Sequence, residues 1–158
     1  MKKNIIRTLM LFVVSLMTLA CSDDETPVQK LEVIPANLHG QWKLQELNGA
    51  ELPEGSFIYI DFHYNGNFKL YQNHDSMETR YITGKYTIKK DAILGDIISG
   101  SYDFGNGLWN NEYIITDLLE TGSMIWTVKD GEEVSKYVKV DEIPADILEA
   151  GKDKQEDK

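Results

Sequence analysis

The sequence is poor in cysteine and arginine, and each shortage excludes a class of protein. Cys21 is the single cysteine among 158 residues, so the chain cannot form an intramolecular disulfide. Arginine occurs only as Arg7 and Arg80, and 26 acidic residues outnumber 16 basic ones, which gives a net charge of −10. Because a chain of this charge repels polyanions, we expect no binding of nucleic acid.

Long apolar runs are also lacking. The longest covers residues 9–19, which is about half of the ~20 residues that a helix needs to span a bilayer. It follows a basic stretch that ends at Arg7, and it precedes Ala20. Because this is the order of charge, apolar centre and small residue found in secretory signals, we predict that residues 1–20 are a signal peptide.

The residues around Cys21 resemble two lipoprotein signals. Leu19-Ala20-Cys21 resembles the cleavage box of bacterial lipoproteins, although Thr18 stands where the usual box has leucine. The following Ser-Asp-Asp-Glu resembles the acidic export tag of Bacteroidota-type surface lipoproteins. The resemblance implies that Cys21 is a lipid anchor carrying diacylglycerol and palmitate, and that the protein lies in the outer membrane, exposed at the cell surface. An ordinary signal peptide followed by a free thiol is the alternative.

The residues that follow the predicted signal peptide are enough for one domain. Two segments with little hydrophobic periodicity flank that domain. We predict an acidic tether at residues 21–37, where Pro27 and Pro35 occur and Val33 could dock on the domain. The domain is predicted to span residues 38–143. Residues 144–158 are predicted to form a short helix over 144–150, with Gly151 as its stop, and a disordered charged tail from Lys152.

The domain has the composition and spacing of an all-β fold. Val, Ile, Tyr, Phe, Trp and Thr recur in short runs separated by Gly, Asn and Asp. Asn65-Gly66 predicts a hairpin with a type I′ turn, in which both residues have positive φ. The spacing of about 8–12 residues is typical of an antiparallel barrel or sandwich. The eight predicted strands are 41–47, 57–64, 67–72, 79–89, 93–102, 112–117, 123–128 and 134–140.

The long strand predicted over 79–89 contains Gly84, which we interpret as a bulge or bend. With that interruption, Tyr81 before the glycine and Tyr86 after it both face inward. These two side chains would either line a small apolar pocket or fill the core. The other predicted inward residues are Ile58, Ile60, Phe62, Phe68, Leu70 and Trp126.

The order of several short motifs resembles the lipocalin family. Gly40-Gln41-Trp42 resembles the Gly-x-Trp motif, whose tryptophan plugs one end of the lipocalin barrel. Residues 62–68 resemble the F-x-x-D/N-G-x-F hairpin of bacterial lipocalin-like lipoproteins. The resemblance covers residues 39–140 and implies a small antiparallel up-and-down eight-stranded barrel with a short C-terminal helix.

Two features depart from the lipocalin pattern. The second lipocalin motif, Thr-Asp-Tyr, is missing, because Leu118 follows Asp117. The arginine that lipocalins stack over the tryptophan is also absent, and only Lys136 and Lys139 lie nearby in the last predicted strand. Ligand binding is therefore implied by the resemblance rather than by matching site residues.

Trp109 is the most unusual candidate for ligand contact, because it lies in a loop rich in glycine and asparagine. An exposed indole beside the amides of Asn110 and Asn111 would suit a sugar, whose CH face stacks on the ring. The alternative is that Leu108 and Trp109 fold back and cap the barrel. Trp126 is a further candidate, with core packing as its alternative.

Residues for catalysis are sparse. His39, His63 and His74 have no zinc-binding spacing, and no Gly-x-Ser-x-Gly nucleophile elbow is present. Asp61 and His63 share one face of a predicted strand, where they could hold a metal or lie on a solvated surface. We therefore predict a protein that is not an enzyme and has no cofactor or metal.

Two functions remain from the sequence. The first is a surface lipoprotein whose barrel binds a small apolar molecule or a glycan. The second is a non-enzymatic accessory or inhibitor protein that uses protein–protein contacts on a filled barrel.

Overall fold

A computed structural model describes residues 28–74 and 78–156, with side chains to Lys152, and shows a β-barrel with a C-terminal helix. A single helical turn, α1 (Pro35–Leu38), precedes the barrel. The long helix α2 (Ala145–Glu156) follows it. The strands are β1 (Gly40–Leu47), β2 (Ala50–Glu51), β3 (Phe57–Phe62), β4 (Asn67–Asn73), β5 (Arg80–Asp91), β6 (Gly95–Tyr102), β7 (Tyr113–Leu119), β8 (Ser123–Val128) and β9 (Val134–Val140).

The barrel closes through pairing of its first and last strands. From β3 to β9 each strand pairs antiparallel with the next, and β1 pairs with both β3 and β9. The two-residue β2 only extends β1 by a hairpin, so the barrel has eight strands. Closure leaves no long unpaired edge. The predicted up-and-down eight-stranded barrel is confirmed.

Glycines with positive φ lie in the hairpin turns, and one of these turns differs in type from the prediction. Asn48 and Gly49 have φ of 53° and 78°, the positive pair that a type I′ turn needs. At the β3–β4 hairpin only Gly66 has positive φ, so the type I′ turn predicted for Asn65-Gly66 is wrong. Asn65 instead accepts a hydrogen bond from the Asn67 backbone N–H through its Oδ1, at 3.1 Å. This Asx-type contact allows a longer connection from His63 to Gly66.

The predicted bulge at Gly84 is absent. The β4–β5 register runs without a shift from Asn67↔Lys85 to Gln72↔Arg80, and the β5–β6 register is equally regular. Glycine is needed here because a Cβ would lie 2.1 Å from the Ser101 carbonyl oxygen. Strand alternation therefore continues through the glycine.

A bulge occurs instead in β7, next to the N-terminal segment. The β7–β8 register shifts between Thr116 and Leu119, and Asp117 has a φ of 48°. The shift turns Leu118 inward, where it is fully buried. The Leu118 carbonyl accepts a 2.7 Å hydrogen bond from the Leu31 backbone N–H. The chain is thus attached to the barrel from about residue 29, within the predicted tether, and Val33 is buried as expected of a docked residue.

Helix α2 covers one outer face of the barrel. It is longer than the helix predicted over residues 144–150. Ile143 and Ile147 are buried against Tyr59 and Tyr71 in a second hydrophobic cluster. Gly151, predicted as a stop, lies inside the helix, and a Cβ there would be 3.0 Å from Tyr71 Cε1. The glycine therefore allows close approach of helix to sheet, and the helix continues to Glu156.

The main core runs through the barrel interior, and most of its fully buried side chains lie toward one end. We call this the closed end; it lies where β1 begins, β3 ends and the β7–β8 turn occurs. The opposite, open end carries the 103–112 and 129–133 loops. The fully buried side chains are Leu38, Trp42, Phe62, Phe68, Ile98, Leu118 and Met124. None of the helices in the described part of the chain has the length and apolar character to cross a membrane.

Candidate ligand-binding site

A cavity of about 270 Å³ lies at the open end of the barrel. Its aliphatic wall comes from β1, β3 and β4, and its aromatic wall comes from Phe68 of β4, from β6 to β9 and from the 103–112 loop. The lining residues are Leu44, Leu47, Ile58, Ile60, Phe68, Leu70, Gln72, His74, Tyr102, Trp109, Asn110, Asn111, Tyr113, Trp126, Glu133, Ser135 and Tyr137. Ligand pockets usually measure about 300–1,000 Å³, so this cavity suits a small ligand.

The aromatic wall is continuous. Trp126 lies at its centre, with ring centroids 5.9 Å from Trp109, 5.2 Å from Tyr113 and 4.9 Å from Tyr137. Phe68 meets Trp109 edge to face at 5.2 Å. The six aromatic side chains of the wall, which also include Tyr102, thus form one cluster in several planes.

The strand register explains why these rings meet. Trp126 of β8 pairs with Ser135 of β9, and Tyr137 follows two residues later on the same face. Tyr113 of β7 pairs with Val128, two residues beyond Trp126. Ser135 is small and buried, so it leaves space for the cavity between the larger neighbours.

Trp109 reaches this wall by folding back over a glycine. Its backbone N–H donates to the Gly100 carbonyl at 2.9 Å. A Cβ at Gly100 would lie 2.4 Å from Trp109 Cε2, so only glycine leaves room for the indole. Leu108 remains 75% exposed. The alternative in which both residues fold back over the barrel therefore holds for Trp109 but not for Leu108.

The loop that carries Trp109 is held at its base. Thr83 Oγ1 donates to Asp103 Oδ2 at 2.6 Å, and the Asp103 backbone N–H donates to the Thr83 carbonyl at 2.9 Å. Asn106 Nδ2 donates to the Asp103 carbonyl at 3.0 Å. These contacts fix the loop at the mouth, where Phe104 is 88% exposed with a φ of 61°.

The rim of the cavity is polar and carries little positive charge. Exposed Asn110, Asn111 and Glu133 stand at the mouth, with His74 on the opposite side. Among the lining residues that the structure describes, none is lysine or arginine. Two lysines at this end are held by carboxylates instead, Lys129 by Glu112 at 2.6 Å and Lys136 by Glu46 at 2.9 Å.

The three cavity tyrosines are kept neutral. Burial raises the pKa of Tyr137, and the neighbouring Tyr113 and the Glu133 carboxylate raise it further. Burial also raises the pKa of Tyr113; a hydrogen bond with the Asn111 side chain lowers it, and the charge of Glu133 raises it. The pKa of Tyr102 is raised by burial and by Tyr113. These phenols therefore present uncharged rings to a ligand.

The closed end holds the Gly-x-Trp motif. Trp42 is buried and its Nε1–H donates to the Leu38 carbonyl of α1 at 2.7 Å. Lys139 of β9, the Cα partner of Trp42, places its Nζ 5.4 Å from the indole centroid. Lys139 thus supplies a cation beside the indole, at the place where the resemblance noted in the sequence implies an arginine. Gly40 has a φ of 117°, which only glycine adopts readily, and this explains the motif's first residue.

The sequence-predicted ligand residues separate into three places. Trp109, Asn110, Asn111 and Trp126 line the cavity. Tyr86 lies in the core at the closed end, where its hydroxyl donates to the His63 carbonyl at 2.9 Å. Tyr81 lies on the outer face, in the cluster with α2. Its predicted inward placement is wrong because the bulge at Gly84 that would have turned it inward does not exist.

Several cavity residues were not predicted from the sequence. Tyr102, Tyr113 and Tyr137 could have been found by extending the alternation of β6, β7 and β9, since each lies at an inward position of its strand. Glu133 and His74 lie in loops, where alternation gives no signal.

The pair Asp61 and His63 lies outside the cavity. His63 Nε2 is 3.5 Å from Asp61 Oδ2 on the outer surface, and the histidine side chain is 37% exposed. Within the described ranges, no three His, Cys, Asp or Glu residues are grouped so that they could hold a metal.

The sequence is similar to known proteins over the barrel. The sequence model of a family described as "Lipocalin-like domain" matches residues 38–142. No curated protein matches the chain. Among solved structures, the chain is similar to a lipocalin-like protein from Bacteroides uniformis ATCC 8492, with 19% identity and a TM-score of 0.47. That alignment covers 66% of this chain and 99% of the other.

Proposed function

Because the chain belongs to the lipocalin-like domain family, we propose that its barrel binds a small molecule with a largely apolar body and a polar group at the mouth. The observation that carries the proposal is the 270 Å³ cavity, whose lining is mostly aliphatic and aromatic side chains, with the Ser135 hydroxyl inside and with amides, one imidazole and one carboxylate at the rim. A few polar groups at the edge of an apolar hollow are the usual composition of a ligand pocket. The protein acts by binding and not as an enzyme.

A second part of the proposal concerns location. We propose that the protein is a lipoprotein of the outer membrane, exposed at the cell surface and anchored through the lipid on Cys21. Cys21 lies outside the described residues, so its sequence context supports this part. Attachment of residues 29–31 at the closed end supports an arrangement in which the mouth points away from the anchor.

Binding can be tested with N-phenyl-1-naphthylamine, a neutral dye that fluoresces in apolar surroundings. We expect the protein from Val28 onward to bind the dye, and Trp109→Ala to weaken binding about tenfold, because the substitution removes a large aromatic contact surface. Leu108→Ala is the matched control, since this neighbouring side chain is exposed and outside the cavity lining. Titration by fluorescence gives both dissociation constants.

The proposal fails if the unsubstituted protein binds no dye, or if both variants lose binding equally. Trp109→Phe keeps an aromatic ring at the site and provides a second variant should Trp109→Ala unfold. Native mass spectrometry of protein purified from its own host adds a direct search for a retained ligand.

Exposed apolar side chains support one alternative function. Phe104 is 88% exposed and Leu108 is 75% exposed on a loop with a fixed base. Such a pair could contact a partner protein, as an accessory subunit or inhibitor would require. A protein that binds no dye but loses a partner on substitution of these two residues would favour this alternative.

A further inference from the structure

The charge distribution at the cavity limits the chemistry of its ligand. Glu133 is the only carboxylate in the lining that the structure describes, and neither lysine nor arginine accompanies it. An anionic group in this cavity would lose hydration without gaining a lysine or arginine partner, since His74 at the mouth is the only basic side chain in the described lining, and burial of an unpaired charge is costly. Fatty acids and phosphorylated ligands are therefore disfavoured.

The arrangement of the aromatic rings favours a positively charged ligand. Trp109 is edge-to-face with Phe68 at 73° and with Tyr113 at 68°. Phe68 and Tyr102 are at 69°. The rings therefore present aromatic surface to the cavity in more than one plane, and aromatic surface attracts quaternary ammonium groups.

The Glu133 carboxylate acts on this cluster from the rim. Glu133 lines the same cavity as Tyr113 and Tyr137, and its charge, after burial, is among the influences that raise the pKa of both phenols. The same burial keeps both phenols neutral. The aromatic faces and the carboxylate thus both attract a cation.

We propose that the ligand is a small organic cation of the quaternary ammonium class, held by cation–π contacts with the aromatic wall and by the Glu133 carboxylate at the mouth. This inference rests on the proposed function, because it requires that the cavity binds a small molecule. The cation lies in the cavity against the aromatic wall, and its polar substituent points toward Asn110 and Asn111 at the mouth.

The test compares two probes of the same shape that differ in charge. Choline carries a trimethylammonium group, and 3,3-dimethylbutan-1-ol replaces its nitrogen with carbon. We expect choline to bind about tenfold more tightly, because only the cation gains from the ring quadrupoles. Isothermal titration with each probe measures the ratio, and displacement of the naphthylamine dye locates both in the cavity.

The outcomes separate this inference from the proposed function. Dye binding together with equal or stronger binding of the neutral alcohol overturns the cation and leaves the small-molecule function in place. Dye binding without displacement by choline also overturns it. Absence of binding by the dye and by both probes overturns both proposals.

A pair of charge variants tests the role of the rim. Glu133→Gln should weaken choline binding about two- to fivefold, the size expected for an exposed charge pair, and should leave the alcohol unaffected. Glu132→Gln makes the same charge change at an adjacent exposed residue outside the cavity lining, and it serves as the control. Equal effects of the two variants would show a general field effect and overturn the role of Glu133.

Discussion

At the scale of single residues, buried tyrosines couple the stability of the barrel to alkaline pH. Burial, with contributions from Tyr81 and Asp61, raises the pKa of Tyr71 from 10.0 to about 12. Below pH 10 the phenol is protonated in both folded and unfolded states. Above pH 10 the unfolded chain loses this proton first, so the free energy of unfolding falls between about pH 10 and 12.

We therefore expect Tyr71→Phe to flatten the decrease in stability above pH 10. Urea denaturation from pH 9 to 11.5 measures the free energy of unfolding of both proteins. Tyr64→Phe removes a hydroxyl from a side chain that is 64% exposed, and it serves as the control. A decrease of the same steepness in all three proteins would contradict the assignment to Tyr71.

Residue patterns predicted the cavity only in part. Trp109 was a candidate because a tryptophan is unusual in a glycine- and asparagine-rich loop, but its fold-back depends on Gly100 of another strand. The prediction that Tyr81 faces inward was wrong, because Gly84 was interpreted as a bulge or bend. A glycine within a strand can also mark a close approach of atoms from a neighbouring strand. The Ser101 carbonyl that requires the close approach is 17 residues away and is not visible in a local pattern.

At the scale of elements, the strands were predicted well and the helix poorly. Alternating apolar residues and turn signals define β1, β8 and β9 within one residue, since each strand has one buried face. Helix α2 is longer than predicted because Gly151 fits against Tyr71, a tertiary contact that compensates for its low helix propensity.

The packing of α2 predicts a substantial cost for shortening one side chain. Ile147 is 8% exposed between the helix and the barrel. We expect Ile147→Ala to lower the free energy of unfolding by about 2–4 kcal/mol through lost burial and a cavity. Chemical denaturation measures the change, and Glu149→Ala, an exposed position on the same helix, should stay within about 0.5 kcal/mol. A loss for Ile147→Ala no larger than that for Glu149→Ala would contradict the packing role of Ile147, because neither change to alanine loses stability through helix propensity.

At the scale of the whole molecule, the order of the motifs predicted the barrel, since hairpins between neighbouring strands leave few topologies. Docking of the segment before residue 38 was predicted from its apolar residues, but the hydrogen bonds of residues 29–31 depend on a bulge in β7 that has no sequence signal of its own.

The proposed anchor gives a prediction for the full chain in its own type of host. Several acyl chains, each contributing about 0.8 kcal/mol per buried methylene, would hold the protein at the membrane. We expect Cys21→Ser to release the protein from the membrane fraction or to leave its signal uncut, as measured by fractionation and intact mass. Normal processing with unchanged membrane association would exclude Cys21 as the anchor.

The pairing of β1 with β9 also has a consequence during synthesis. Most strand pairs join segments that leave the ribosome in succession, whereas β1 must wait for Val134–Val140 before it gains its second partner. A nascent chain that ends before β9 therefore carries two open sheet edges, on β1 and on β8. Exposed edges of this kind promote association between chains. The last strand thus converts an aggregation-prone intermediate into a closed barrel, and premature termination before Val134 removes that protection.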